Sequence, residues 1–299
     1  MRRLEPPPGP SDPIDARTWS EALGDPRRLG DWPAWFRREL AEAPWKSVLA
    51  VWWPRLLPGI AAGTTHGVIR VGHAVRVLRE HGPSPIALEE LAQAFAYWAA
   101  HWQPVHDPRQ PIGQSGALEA MYAVSPIGDR NQGITHRLAQ LEGTEAWQAD
   151  QRRARGPRTH EEAEPFLREL VAAAVEYNRT HGNGNPTMLV HAATAPNAVL
   201  RALPSLPEDM RVPSAQAAWT AAAALVSIYR PDQGLPEDRQ RAFAAETDDI
   251  AEAQEMALAT GDEHAIKFAD TADDVLAWTG DATAVAAVTT TSRQLATGR

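Results

Sequence analysis

The chain has 299 residues, 43% of them hydrophobic and 22% charged, and a formal net charge of −9. That length can bury a sizeable core as one large domain or two small ones, and the acidic balance excludes a phosphate-binding surface spread over the whole molecule. The lack of cysteine rules out disulfides, thiolate nucleophiles and cysteine-ligated zinc or iron–sulfur centres.

Residues 1–14, with Pro6-Pro7-Pro8, are expected to form a disordered leader ahead of a single helical domain over 15–299. Met1-Arg2-Arg3 has no apolar stretch behind it, so it does not read as a secretory signal. No run approaches the ~18 apolar residues of a membrane span. The expectation is a cytoplasmic protein with neither a membrane nor a nucleic-acid partner.

From residue 15 onward the apolar period is helical. Alanine and leucine dominate, alternating β-branched runs are missing, and prolines fall where helices end. Asp15 is placed to cap a helix through Trp19 to Leu23. Pro33 opens a second, with Trp35, Phe36 and Leu40 on one face, and Pro44 a third through Val48, Leu49, Trp52 and Trp53. Pro58 restarts the chain into a helix from Ile60 to about Glu80, closed by Gly82, and Ser84-Pro85 precedes another over 88–102. The segment 104–116 is the least regular, with a further break at Pro126-Ile127-Gly128. Helices then follow over 131–141, 160–178, 186–202, 213–229, 236–260, 263–278 and 281–294, with a polar turn at 179–185. Pro196 is expected to bend or end the helix carrying His191. The prediction is an all-α domain of about a dozen helices with an irregular loop near 104–116.

Four histidines and a lysine stand among small and aliphatic residues, where polar groups are costly unless bound or paired. His66, Arg70 and His73 share one helical stripe, as do His191 with Thr194 and His264 with Lys267. Imidazoles converging from separate helices suit zinc, iron, copper or nickel. Seven positions span ~10.5 Å of helix rise against ~6 Å for four, so His73 is a less secure ligand than His66. Lys267 cannot ligate as an ammonium; it either meets the site neutral or as a carbamate, or snorkels to solvent or pairs with Asp270. His191 and His264 read equally as satisfied core histidines.

The 11 tryptophans outnumber the four tyrosines and five phenylalanines; Trp52, Trp53, Trp98 and Trp102 either fill the core or wall a pocket for a flat ligand. Gln151-Arg152-Arg153-Ala154-Arg155-Gly156-Pro157-Arg158 is either a local basic patch or a solvated loop. No His-Glu-x-x-His motif, phosphate-cradling glycine loop or Gly-x-Ser-x-Gly elbow occurs, so nicotinamide or ATP chemistry is not expected.

The stretches Gly63-Thr64-Thr65-His66-Gly67-Val68-Ile69-Arg70-Val71-Gly72-His73-Ala74, Ala96-Tyr97-Trp98-Ala99-Ala100, His191-Ala192-Ala193-Thr194 and His264-Ala265-Ile266-Lys267 together resemble the questin oxidase-like family, from about Trp53 to Thr271. The family includes fungal enzymes acting on anthraquinones in polyketide pathways. The resemblance implies a helical, oxygen-using enzyme that cleaves a quinone ring. Such activity was first described as a nicotinamide-dependent Baeyer–Villiger oxidation, and for a fungal relative as a non-haem iron dioxygenase with histidines and a carboxylated lysine on the metal. It implies Fe(II) rather than NADPH, with His66, His191, His264 and Lys267 at motif positions. In the fungal pattern a second histidine falls four after the first, where this chain has Arg70; His73 is the nearest substitute, as a ligand or an acid–base group.

Three expectations follow. In the first, an iron oxygenase takes an aromatic polycyclic substrate and O2, with metal ligands His66, His73, His191, His264 and Lys267. Arg70 then holds a phenolate or carboxylate, and Trp53, Tyr97, Trp98 and Thr194 line the pocket. In the second, the same pocket is a metal-free binding site or cofactor-free catalyst for a phenolic ligand. In the third, the histidines only satisfy the core of a helical scaffold and lie far apart.

Overall fold

The computed structural model describes residues 12–105 and 108–297. Fifteen α-helices run in chain order among these residues: α1 (Trp32–Glu42), α2 (Trp45–Leu56), α3 (His66–His81), α4 (Pro85–Ala100), α5 (Ala117–Ala123), α6 (Ile134–Ala139), α7 (Glu145–Arg153), α8 (His160–His181), α9 (Pro186–Leu189), α10 (His191–Ala202), α11 (Glu208–Tyr229), α12 (Glu237–Ala244), α13 (Ile250–Thr260), α14 (Glu263–Thr279) and α15 (Thr283–Thr297). Short 3₁₀ turns link several of them. The described residues contain no strand, only two isolated bridges, between Ile112 and Arg155 and between Ser115 and Ala154. The all-α expectation is therefore met, and no described helix is long and apolar enough to cross a membrane.

Helix α10 is the hub. Every one of its residues except Arg201 is buried, and it packs on α3, α8, α11 and α14. Small side chains make this possible, because axes approach closely only where no Cβ intervenes. A Cβ at Gly72 of α3 would lie 2.6 Å from the Ala198 carbonyl oxygen and 2.7 Å from its Cα. A Cβ at Gly67 would lie 2.6 Å from Cβ of Trp98 on α4. Glycine at two turns of α3 thus fixes its separation from α10 on one side and α4 on the other. Behind them the run Ala221 to Ala224 of α11 is fully buried.

Several boundaries differ from the sequence expectation. The helix expected from Ile60 begins instead at His66, because a 3₁₀ turn at Leu57–Gly59 gives way to three successive left-handed residues. These are Gly63 (φ 53°), Thr64 (φ 56°) and Thr65 (φ 65°). The 186–202 segment breaks at Val190, not at Pro196; Asn185 caps the single turn α9 by accepting the Met188 N–H, and α10 then runs on through Pro196. The 236–260 segment divides in two where Asp249 caps α13, accepting from the Ala251 N–H. Helices α5 and α7 arise where none was expected. The 104–116 segment is without helix among the described residues, as expected.

The expected leader of residues 1–14 falls mostly on residues 1–11, outside the described residues. Its last part is not loose: Ile14 is buried, and the Asp12 N–H donates to Asp31 Oδ1. In the basic stretch 151–158, Arg152, Arg155 and Arg158 are exposed. Gln151 is fully buried, and Arg153 pairs with Asp150 at 3.1 Å.

Candidate metal centre

His66 is the first residue of α3, His191 the first of α10 and His264 the second of α14. The three imidazoles therefore hang from three helix N-termini, where exposed N–H groups and the macrodipole give partial positive charge. Local chemistry explains each start. The left-handed turn through Gly63, Thr64 and Thr65 reverses the chain into α3. L-residues adopt that conformation at a cost of roughly 1–2 kcal/mol each, which surrounding structure has to offset. Asp262 caps α14 by accepting the His264 N–H at 2.9 Å.

Every imidazole is braced from behind by an oxygen acceptor. His66 Nδ1 lies 2.7 Å from the Gly63 carbonyl oxygen, His191 Nδ1 3.1 Å from that of Met188, and His264 Nδ1 2.8 Å from Asp262 Oδ1. An oxygen of this kind accepts, so each Nδ1 carries the proton and donates, and in neutral His66 and His191 the Nε2 keeps its lone pair. Ligand atoms of the three rings lie within 4.8 Å of one another. Nε2 of His66 and Nε2 of His191 are 3.2 Å apart. Two lone pairs cannot bond to each other, so this approach requires a cation or a donor beside them. Lys267 supplies one: its Nζ is 2.9 Å from His191 Nε2 and 3.1 Å from His66 Nε2.

Electrostatics hold His66 and His191 neutral. Burial, then the nearby Lys267, push the His191 pKa well below the usual histidine value, and the same two causes lower His66. Burial also brings Lys267 down to about 8, against the pull of Glu263 and Asp262. Neutral imidazoles with an oxygen-bonded Nδ1 and a converging Nε2 are the form in which histidine binds transition metals, and the braces set ring orientation. The donor set fits a divalent ion of the zinc, iron, copper or nickel kind.

The structure sorts the predicted residues. His66, His191, His264 and Lys267 come together, so histidines scattered through a scaffold are not what the chain contains. Lys267 neither snorkels nor pairs with Asp270, whose carboxylate is taken by Arg201 at 2.6 Å and Arg76 at 2.9 Å. His73 does not join the cluster. Two turns up α3, its Nδ1 lies 3.4 Å from Arg201 Nη1, and burial lowers its pKa to about 4. Arg70 pairs with Glu90 at 2.8 Å, and its guanidinium carbon sits 5.8 Å from the Tyr97 ring centroid, so it has a partner of its own at the rim.

Trp53 and Trp98 are fully buried and do not wall an open pocket. Their indole N–H groups donate to Ser214 Oγ and the Gly59 carbonyl, and their rings meet edge to face. Tyr97 does stand at the site, its ring 6.5 Å from that of His66. Thr194 is buried with its Oγ1 unpartnered, as is Thr65 next to His66. Two surface cavities, of about 440 and 670 Å³, lie elsewhere; the first is apolar, with Pro54, Leu57, Ile60, Met210 and Pro213 in its wall.

Two acidic residues escaped the sequence reading. Asp262 braces His264, and Glu263 places its Oε1 3.9 Å from His66 Nε2 and 3.8 Å from His264 Nε2. The signal for both was their position: an Asp-Glu pair immediately before a candidate histidine at a helix start.

No family model, curated protein or solved structure matches this chain.

Proposed function

We propose that this chain is a metal-dependent oxygenase of the questin oxidase-like kind, using a non-haem iron(II) and O2 on a polycyclic phenolic or quinone substrate. The observation that carries the reading is the convergence of three oxygen-braced imidazoles, with Lys267 among them, at the N-termini of three helices. His66, His191 and His264 would hold the metal. Lys267 would join them as a neutral amine or as a carbamate oxygen donor. When bound, iron supplies the dioxygen binding and one-electron chemistry that side chains lack.

The protein's part is positional. The carbonyls of Gly63 and Met188 and the Asp262 carboxylate keep the Nδ1 protons in place, so the lone pairs stay aimed inward. Tyr97 stands beside His66, its ring stacked on His101 and its hydroxyl close to Gly63.

Metal analysis of protein purified without chelator tests this. One transition-metal ion per chain is expected in the wild type, with most of it lost in His264→Ala. Full metal content in that variant removes His264 from the site. Oxygen uptake with a hydroxyanthraquinone, present in the iron-loaded protein and absent in His264→Ala, is the expected activity; an iron-loaded protein that consumes none refutes the oxygenase reading.

One observation favours a second reading. Lys267 Nζ already satisfies both His66 and His191 lone pairs. A metal-free site that binds or deprotonates a phenol follows from that contact. A metal-free wild type whose tryptophan fluorescence is quenched by a hydroxyanthraquinone, with the response lost in Lys267→Met, would establish it in place of the oxygenase.

A further inference from the structure

We propose that Glu263 is the anionic ligand that completes the three-histidine centre. The assignment rests on the metal reading above and names a residue that the reading leaves out. Its Oε1 lies 3.9 Å from His66 Nε2 and 3.8 Å from His264 Nε2, on the side from which solvent reaches the rings. Its side chain is 75% exposed, so it is free to swing. Two donors at ~2.0–2.2 Å from one ion, at right or tetrahedral angles, lie ~3.0–3.5 Å apart. The His66–His191 separation of 3.2 Å is in that range already. Glu263 enters it by a movement of about half an ångström, which an exposed side chain makes at little cost.

Other carboxylates nearby are committed. Asp262 accepts from both the backbone N–H and Nδ1 of His264. Asp270 is held by Arg201 and Arg76, and Asp274 by Arg201 at 2.6 Å. Among the described residues, only His66 and His264 lie within ion-pairing distance of Glu263. Neither His73 nor Arg70 reaches the cluster, so a fourth imidazole does not come from α3.

Charge gives a second argument. The site gathers three helix N-termini and a lysine around the three imidazoles, and a divalent cation adds two more positive charges. A carboxylate in contact with the ion offsets that accumulation. Glu263 stands in the first turn of α14, where the helix itself favours negative charge.

The test is Co(II) binding to the full chain, followed by the visible d–d bands, which report the donors. Glu263→Gln keeps size and shape and removes only the charge and the anionic oxygen. It should weaken Co(II) affinity at least ~10-fold and shift the bands, with helical circular dichroism unchanged. Glu263→Asp, which retains the charge on a shorter arm, should recover part of the affinity. Unchanged bands in Glu263→Gln overturn the assignment while leaving the three-histidine site standing. A wild type that takes up no Co(II) removes both together. Lys267→Met in the same assay separates the two anion sources: bands that follow Lys267 and ignore Glu263 mean that a carbamate, not this carboxylate, is the anion.

Discussion

A histidine buried near cations contributes to stability through the proton it does not bind, and His73 is the clearest case. Burial, helped by Arg201, Arg76 and Lys267 and opposed by Asp270, lowers its pKa from 6.5 to about 4. The unfolded chain therefore binds a proton that the folded chain refuses between these values. Stability from this group is complete above pH 6.5 and is lost as pH falls toward 4, by about 3 kcal/mol at the limit. Chemical denaturation at pH 7 and pH 4.5 should show a steeper loss in wild type than in His73→Gln, which cannot titrate. Equal losses would mean that His73 is not held neutral. Other lowered histidines, His66 and His191 among them, titrate in both proteins and cancel in the comparison.

At the level of elements, the site depends on where helices start and how closely they pass. A ligand at a helix N-terminus has its azimuth set by the preceding turn, which is why the left-handed residues before His66 matter more than the periodicity of α3. The contact of Gly72 with Ala198 then fixes α3 against α10, and with it His66 against His191. In Gly72→Ala the added methyl meets backbone atoms that cannot swing aside. Overpacking should cost about 1–3 kcal/mol, a loss that alanine's better helix propensity offsets by no more than ~1 kcal/mol. The unfolding midpoint should fall, and metal affinity should drop with it as the two imidazoles separate. A variant as stable as wild type would show that the helices have room there.

Across the whole molecule, the cluster joins an early helix, a central one and a late one. Arg201 of α10 reinforces the join by pairing with Asp270 and Asp274 of α14, while Arg76 of α3 reaches Asp270. An ion bound by α3, α10 and α14 binds the folded chain and not the unfolded one. Its stabilisation follows RT ln(1 + [L]/Kd), about 2.7 kcal/mol at a hundredfold excess over Kd. Thermal melts with and without Co(II) should therefore show a higher Tm with metal for the wild type and little change for His264→Ala. An equal rise in both would indicate metal bound elsewhere.

Helical content, the absence of strands among the described residues and the candidate residues His66, His191, His264 and Lys267 were legible in the chain, because period, proline placement and a polar residue in an apolar surround are local properties. Helix starts at His66 and His191 were not. A left-handed turn through two threonines contradicts local preference and persists only because the packed helices around it hold it. His73 and Arg70 share the His66 stripe by spacing, yet spacing along one helix is blind to the partners across it, Arg201 and Glu90, that take those side chains away. The tryptophans carry the same lesson: a large ring reads alike as core or pocket wall until its N–H finds Ser214 or Gly59. Residue type and period thus determined which elements form and which side chains are chemically able; the tertiary structure alone decided which of them meet, since convergence depends on distances between segments far apart in the chain.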